Sequence, residues 1–321
     1  RIGDLLRPLP EKDIFPVSTK DSLGCLKLAA LNQATLEDCA CVLCPDAADV
    51  AAAEELLVEI VFVSTGRVAA ACTSPRVVLH AGQRRKLRVV ESHLSAGGSD
   101  ASLSNGVCRV LLAEGAQVRH DLLQQRSPAA RFVESVTAEV AAGAEYELRL
   151  VQTGSRVARV NAAVALQGKS ASCKVTGIML ANDKQQLDLH SLIHHSVPGC
   201  ASEQLHKNIV ADSAECIMKG SIRVDRAAQQ TDSRQLCRTL LLTKRAKVKA
   251  MPSLQIQADD VTCSHGAAVT ELDKKEVFYI QSRGLDEAGA KKLLLVAFPQ
   301  DLLGDLGATA PRAHQRVVDK L

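Results

Sequence analysis

The sequence predicts a mainly β protein: a stacked β-solenoid followed by a small helical unit. Three observations carry this expectation. Apolar residues recur with period two, in strand-length runs, from about Asp38 to about Asp260. Small-residue turns precede such runs at a fixed interval. Gly115-Ala116-Gln117-Val118 and Gly143-Ala144-Glu145-Tyr146 lie 28 residues apart, and Ala171-Ser172-Cys173-Lys174 follows after 28 more. Aromatic residues make up only 2% of the 321 and there is no Trp, so the core must be built from Val, Leu, Ile and Ala. Layered aliphatic coils meet that condition better than a β-sandwich anchored on large rings, which is the alternative.

Taken in order, residues 1–37 read as an extended linker broken by Pro8, Pro10 and Pro16. Within it, Ser22 to Gln33 forms a short helix or lies along a sheet edge. Residues 38–268 form the solenoid. Its clearest alternating runs are Val107 to Leu112, Val118 to Leu123, Glu145 to Val151, Ser221 to Asp225 and Leu254 to Ala258. Less regular turn copies occur at Ala214-Glu215-Cys216-Ile217 and Ala246-Lys247-Val248-Lys249.

At Thr270 the period changes, and residues 269–321 are expected to be helical. Thr270-Glu271-Leu272-Asp273 has the form of a capping box, with Asp in place of Glu. It opens a helix from Leu272 to Arg283, with Leu272, Val277, Tyr279 and Ile280 near one face and Gly284 as the stop. Asp286 caps a second helix through Phe298, which is expected to bury Leu293, Leu294, Val296 and Ala297 before Pro299 ends it. Pro311 suits the first position of a last helix ending near Leu321.

Net charge is +3, from 39 basic and 36 acidic side chains, so nothing supports bulk binding to nucleic acid or a membrane surface. The densest basic group, Arg84, Arg85, Lys86 and Arg88, reads as a solvated strand or turn. Eleven scattered cysteines, an odd number without framework spacing, point to a reducing compartment. There is neither a signal-peptide pattern nor an apolar run of transmembrane length. Because the chain begins with Arg1, an upstream segment such as a transit peptide is expected to have been removed. A β-helix enzyme acting on carbohydrate would need aromatic sugar platforms, and the aromatic content argues against it.

The segment from Ala258 to Gly284 carries the most chemistry. Cys263 and His265, one residue apart, can point the same way from a strand. A thiolate and an imidazole suit zinc, copper or an iron–sulfur cluster, but such centres need about four ligands. The remainder must come from elsewhere in the fold or from another chain. Cys39, Cys41 and Cys44 form a second thiol group, in which Cys39 and Cys41 share a strand face. Asp188, His190 and His194, with His195 beside them, read as a polar face or a further ligand cluster. No Ser-His-Asp set, paired carboxylates or Walker-type loop can be picked out, so independent hydrolysis has no support.

Several segments together resemble the SufB/SufD family of iron–sulfur cluster assembly subunits. They are ADDVTCSHGAAV (258–269), FYIQSRGLDEAGAKKLL (278–294), GSIRVDRAAQQTDSRQLCRTLLL (220–242), Asp188-Leu189-His190 and Ser202 to Lys207. The resemblance runs from about Ala30 to Leu303. The short chain and the Cys263-Ser264-His265-Gly266 sequence resemble the SufD branch; SufB-like chains are longer and carry acidic residues there. A SufB-like paralogue and a purely structural scaffold are the alternatives.

The resemblance implies a right-handed parallel β-helix with a C-terminal helical domain, acting as a non-catalytic scaffold. It implies pairing with SufB along the helix edges and docking of the SufC ATPase on the helices near Asp273–Leu303. Glu276, Phe278, Tyr279, Arg283, Lys291, Leu294 and Phe298 would contribute to that docking. His265 would be a ligand of a transient Fe–S cluster shared with SufB, with Cys263 as its neighbour, and the chain alone would hold no permanent cofactor. Asp188, His190 and His194 would face SufB. A plastid stroma, or alternatively a bacterial cytoplasm, and a homodimer in the absence of SufB are further implications.

Overall fold

A computed structural model describes residues 26–46, 54–66, 71–97 and 99–321. Of the linker expected over residues 1–37, the first 25, with Pro8, Pro10 and Pro16, lie outside them.

The described chain alternates between two sheets. One holds β1 (Ala40–Cys44), β4 (Arg76–Ala81), β6 (Leu103–Leu112), β8 (Arg131–Val140), β10 (Val157–Leu166), β12 (Gln186–His195), β14 (Glu215–Val224) and β16 (Lys247–Ile256), with the short β3 (Cys72–Thr73) also against β6. The other holds β2 (Glu55–Ser64), β5 (Lys86–Ser95), β7 (Gln117–Gln125), β9 (Glu145–Gln152), β11 (Ser172–Ala181), β13 (Ala201–Val210), β15 (Thr231–Leu241) and β17 (Val261–Thr270). Every ladder is parallel, for example β10 on β12 and β11 on β13. Two strands thus make one coil, and about seven coils stack into a β-solenoid. The sandwich alternative, which needs antiparallel sheets, is excluded.

The expected turns exist, with a different register. Ala116, Ala144 and Ala171 are buried at the corner before β7, β9 and β11. Each returns its N–H to the carbonyl three residues back, on Ala113, Ala141 and Gly168 respectively. Gln117 faces Glu145, and Glu145 faces Ser172. The third coil is therefore one residue shorter than the 28-residue count implied, and Ala171 stacks on Ala144 rather than on Gly143. The less regular copies, Ala214 and Ala246, form the same kind of turn before β14 and β16, in the opposite sheet. Their irregular spacing reflects the change of sheet.

The interior is aliphatic through most coils, a column that includes Leu79, Val110, Leu122, Leu150, Val164, Leu187 and Ile193. Alternation is weaker than a solvated sheet would give, because the outer face of the second sheet is also covered. β11, for example, buries seven successive residues from Val175 to Ala181.

The cover is the C-terminal segment. Here α2 (Lys274–Gln281), α3 (Glu287–Ala297), α4 (Gln300–Leu303), α5 (Leu306–Thr309) and α6 (Pro311–Val318) follow β17. Leu302, Leu303, Leu306, Ala313 and Val317 pack on Val90, Leu123, Val151, Ile178 and Ile209 of the second sheet. Burying each large aliphatic side chain contributes about 1.5–3 kcal/mol. Polar anchors fix the register of this layer. Arg88 Nη2 donates to Asp305 Oδ1 at 2.9 Å, and Lys207 Nζ donates to Asp301 Oδ1 at 2.6 Å and to the Phe298 carbonyl at 2.7 Å. Arg88 is thus buried, unlike its neighbour Lys86, and is not part of a solvated basic run.

The helix starts differ in part from expectation. Asp273, not Thr270, caps α2, its carboxylate accepting from the Lys275 N–H at 2.8 Å; Thr270 is the last residue of β17. The strand runs three residues closer to the helix than the capping box allows. Asp286 caps α3 as expected, accepting from the Gly289 N–H, and Pro311 opens α6. Only Val277 of the expected α2 face is buried, and Leu293 and Ala297 of α3 are exposed, because these two helices lean on each other rather than on the sheet.

At the other end, α1 (Leu26–Ala34) is a helix and not a sheet-edge segment. Its buried Asn32 donates to the carbonyls of Asn105 and Pro75 at 2.7 and 3.0 Å, and accepts from Arg76 at 2.7 Å. Among the described residues, no helix is long and apolar enough to cross a membrane.

Candidate functional site

β17 is the last strand of its sheet and pairs only with β15 among the described residues. Cys263 stands opposite Ser233 and His265 opposite Gln235. The strand is exposed along most of its length, with Cys263 half-buried and His265 open to solvent. Partial burial, reinforced by the charge of Asp232, pushes the Cys263 thiol above its ordinary range. Two residues apart on one strand, both side chains lean to the same face.

Ser264, His265 and Gly266 form one end of a groove of about 1140 Å³ along the second sheet. One row of its walls alternates in sign from rung to rung: Arg119, Glu147, Lys174, Glu203 and Arg234. Arg119 lies 3.6 Å from Glu147 and Lys174 lies 3.6 Å from Glu203, one rung to the next. Such exposed pairs contribute little to stability but set which surfaces can meet.

The helices expected to dock a partner divide into two groups. Phe278 and Tyr279 are 71% and 59% exposed on α2, with Glu276, Arg283 and Lys291 also exposed. Arg283 sits over the Tyr279 ring at 5.1 Å. Leu294 is half-buried. Phe298 turns toward the sheet instead, beneath Lys207 at 5.1 Å and Arg238 at 5.8 Å.

Asp188, His190 and His194 share the outer face of β12 but do not form one cluster. His190 Nε2 lies 2.9 Å from Asp188, while Arg159 donates to its Nδ1. His194 pairs with Asp225 at 2.7 Å, next to Arg223. Four residues along a strand is about 13 Å, too far for a shared ion. His195 points the other way, into the interior, where it meets Ser202 at 2.9 Å. Cys39 Sγ and Cys41 Sγ are 3.7 Å apart, whereas Cys44 joins the apolar core. Burial and the neighbouring thiol push Cys39 up to about 12, so Cys39 rests as a thiol.

Sequence reasoning missed a polar cluster inside the first coils. Glu91 and His93 of β5, Cys108 of β6, His120 of β7, Glu134 of β8 and Tyr146 of β9 are at most 1% exposed. Glu91 meets His93 at 2.7 Å and His120 at 3.1 Å. Burial alone would raise the Glu91 carboxyl, but these two imidazoles hold it at about 2. Glu134 shifts the other way, pushed well up by burial and by the Glu91 charge. The signal was available: Glu91 and His93 continue the inward parity of Leu87 and Val89.

The structure thus defines a class: a parallel β-helix with helices on one flank and a Cys-x-His pair held out on a terminal strand. Residues 62–298 match the SufBD core domain of the SUF system for FeS cluster assembly, and the chain belongs to this family. It is 37% identical over 232 residues to protein ABCI7, chloroplastic, of Arabidopsis thaliana, a match covering 72% of this chain and 49% of that one. It is 33% identical over 241 residues to an iron-sulfur cluster assembly SufBD family protein of Synechocystis, covering 72% and 53%. It is also 34% identical over 149 residues to iron-sulfur cluster assembly protein SufD of Escherichia coli, covering 46% and 35%. The chain spans about half the length of the chloroplast and cyanobacterial relatives.

Proposed function

We propose that this chain is a SufD-like, non-catalytic subunit that pairs with a SufB-like β-helix and supplies His265, supported by Cys263, to an Fe–S cluster assembled between them. One observation carries the reading: His265 is exposed, beside a half-buried Cys263, on a strand with a free edge. A single imidazole and one thiol cannot hold a cluster, so the missing ligands come from the partner. A cluster that is cargo should be held openly and by few ligands on each side.

The exposed rings of Phe278 and Tyr279 on α2 support docking of a SufC-like ATPase there, since large exposed aromatics mark contact surfaces. α3 joins α2 to the layer that covers the second sheet, so motion of the ATPase would be transmitted toward the solenoid. A plastid setting is supported by the relative named as chloroplastic.

The test is anaerobic co-expression with SufB-like and SufC-like chains, followed by native mass and iron and sulfide analysis. The reading expects a complex of one copy of this chain, one SufB-like chain and two SufC-like chains. It also expects His265→Ala to assemble normally but hold less iron and sulfide. A chain that stays alone, or a variant complex with undiminished iron and sulfide, sinks it.

A further inference from the structure

The interior cluster, on β5 to β9, is a second site, several coils away from Cys263 and His265 on β17. Ligand atoms of Glu91, His93 and Glu134 all lie within 4.8 Å of one another. We propose that Glu91, His93 and Glu134 bind a divalent first-row transition-metal ion inside the β-helix, with His120 and Tyr146 supporting Glu91 from behind.

Five features point to an ion. Among the described residues, Glu134 Oε2 is buried without a hydrogen-bond partner, an arrangement that costs free energy unless something else satisfies it. The fold makes room for that carboxylate: a Cβ on Gly106 would stand 1.8 Å from the same oxygen and would push the carboxylate out of its place. Two carboxylates with one imidazole suit Zn²⁺, Fe²⁺ or Mn²⁺, and three protein ligands leave one position open.

The supporting layer is also in place. His120 meets the other oxygen of Glu91 through Nε2, and its Nδ1 lies 3.2 Å from the Tyr146 hydroxyl, which fixes the ring. The His93 ring stacks on Phe62 at 4.9 Å and meets Phe132 edge-on at 4.8 Å. Finally, there is a route in. A cavity of about 650 Å³ in the first coils reaches His93, and Phe62, Arg126, Cys39 and Cys72 share its lining.

The probe is Co²⁺, which reports its coordination in the visible spectrum, followed by displacement with Zn²⁺. The full chain is loaded anaerobically, desalted and assayed for retained metal and for thermal midpoint. The expected result is one equivalent retained and a midpoint raised by loading. Glu134→Gln keeps the side-chain shape, so it is the deciding variant; it should weaken Co²⁺ binding by at least about 100-fold and abolish the rise in midpoint. Tyr146→Phe should weaken binding by about 10–100-fold, and His265→Ala should leave it unchanged. Retention of no metal overturns the proposal. So does equal retention by Glu134→Gln, or a signal lost only in the Cys39→Ser, Cys41→Ser double variant.

Discussion

Arg88 and Asp305, 217 residues apart in sequence, form a two-bond ion pair that pins the C-terminal layer to the second sheet. Arg149 joins it at 3.3 Å from Asp305, and Asp121 lies beneath, 3.1 Å from Arg149. The hydrogen bond from Arg88 above all, with Arg149 adding to it, holds the Asp305 carboxyl well below the usual carboxylate range.

Because folding lowers this pKa, the pair stabilises above the unfolded value of about 4 and its contribution is lost as pH falls below that. Asp305→Asn should cost about 1 kcal/mol at neutral pH, a modest figure because the carboxyl is half-exposed. Denaturant titration at pH 7 and at steps below pH 4 checks this: the gap between variant and parent should be full at pH 7 and shrink steadily as pH falls toward the depressed folded value.

His195 and His206 give a second pH dependence. Burial pushes both imidazoles down to about 4, with the His194 charge adding to the effect on His195. The fold keeps them neutral, while the unfolded chain takes up protons below about 6.5. Stability is therefore full above that pH and falls as pH drops from about 6.5 to 4, by on the order of 3 kcal/mol for each ring. His206→Gln should flatten the pH–stability curve in that window, and an unchanged slope would refute the assignment.

Two glycines separate backbone crowding from backbone conformation. A Cβ on Gly168 would lie 1.9 Å from the Ala142 nitrogen in the next coil, and a backbone atom cannot step aside. Gly143 has open space around it but a φ of 61°. Gly168→Ala should cost about 3 kcal/mol or more, and Gly143→Ala about 1 kcal/mol. Urea midpoints of the two variants should fall in that order.

His265→Ala should change the stability of the isolated chain by less than about 0.5 kcal/mol, since the ring is exposed. A large loss of stability would mean that the ring supports β17 itself, and its part in cluster assembly would have to be reconsidered.

Much of the fold was legible because the repeat is physical. Small residues are needed wherever coil corners stack, and Ala116, Ala144, Ala214 and Ala246 mark those corners in the sequence. The register was not fully legible, since a coil can lose one residue at a turn, as before Ala171, without breaking either ladder. That Cys263 and His265 share one strand was legible from their spacing. The Glu91–His120 cluster was not, because its members are scattered over five strands and meet only when coils superpose. The helix faces of α2 and α3 were misjudged for a related reason. Periodicity gives the apolar stripe of a helix, but not whether a sheet or another helix lies against it.

The C-terminal layer changes the mechanics of the whole stack. A solenoid whose coils touch only their neighbours can fray from either end, one rung at a time. Here a single segment reaches from Arg88 on β5 through Arg149 on β9 to Lys207 on β13. Like a splint bound along a column, it makes those rungs share one fate. Loosening any of them means first lifting the splint, so the middle of the stack opens as a unit while the terminal strand, β17, stays free to yield at low cost.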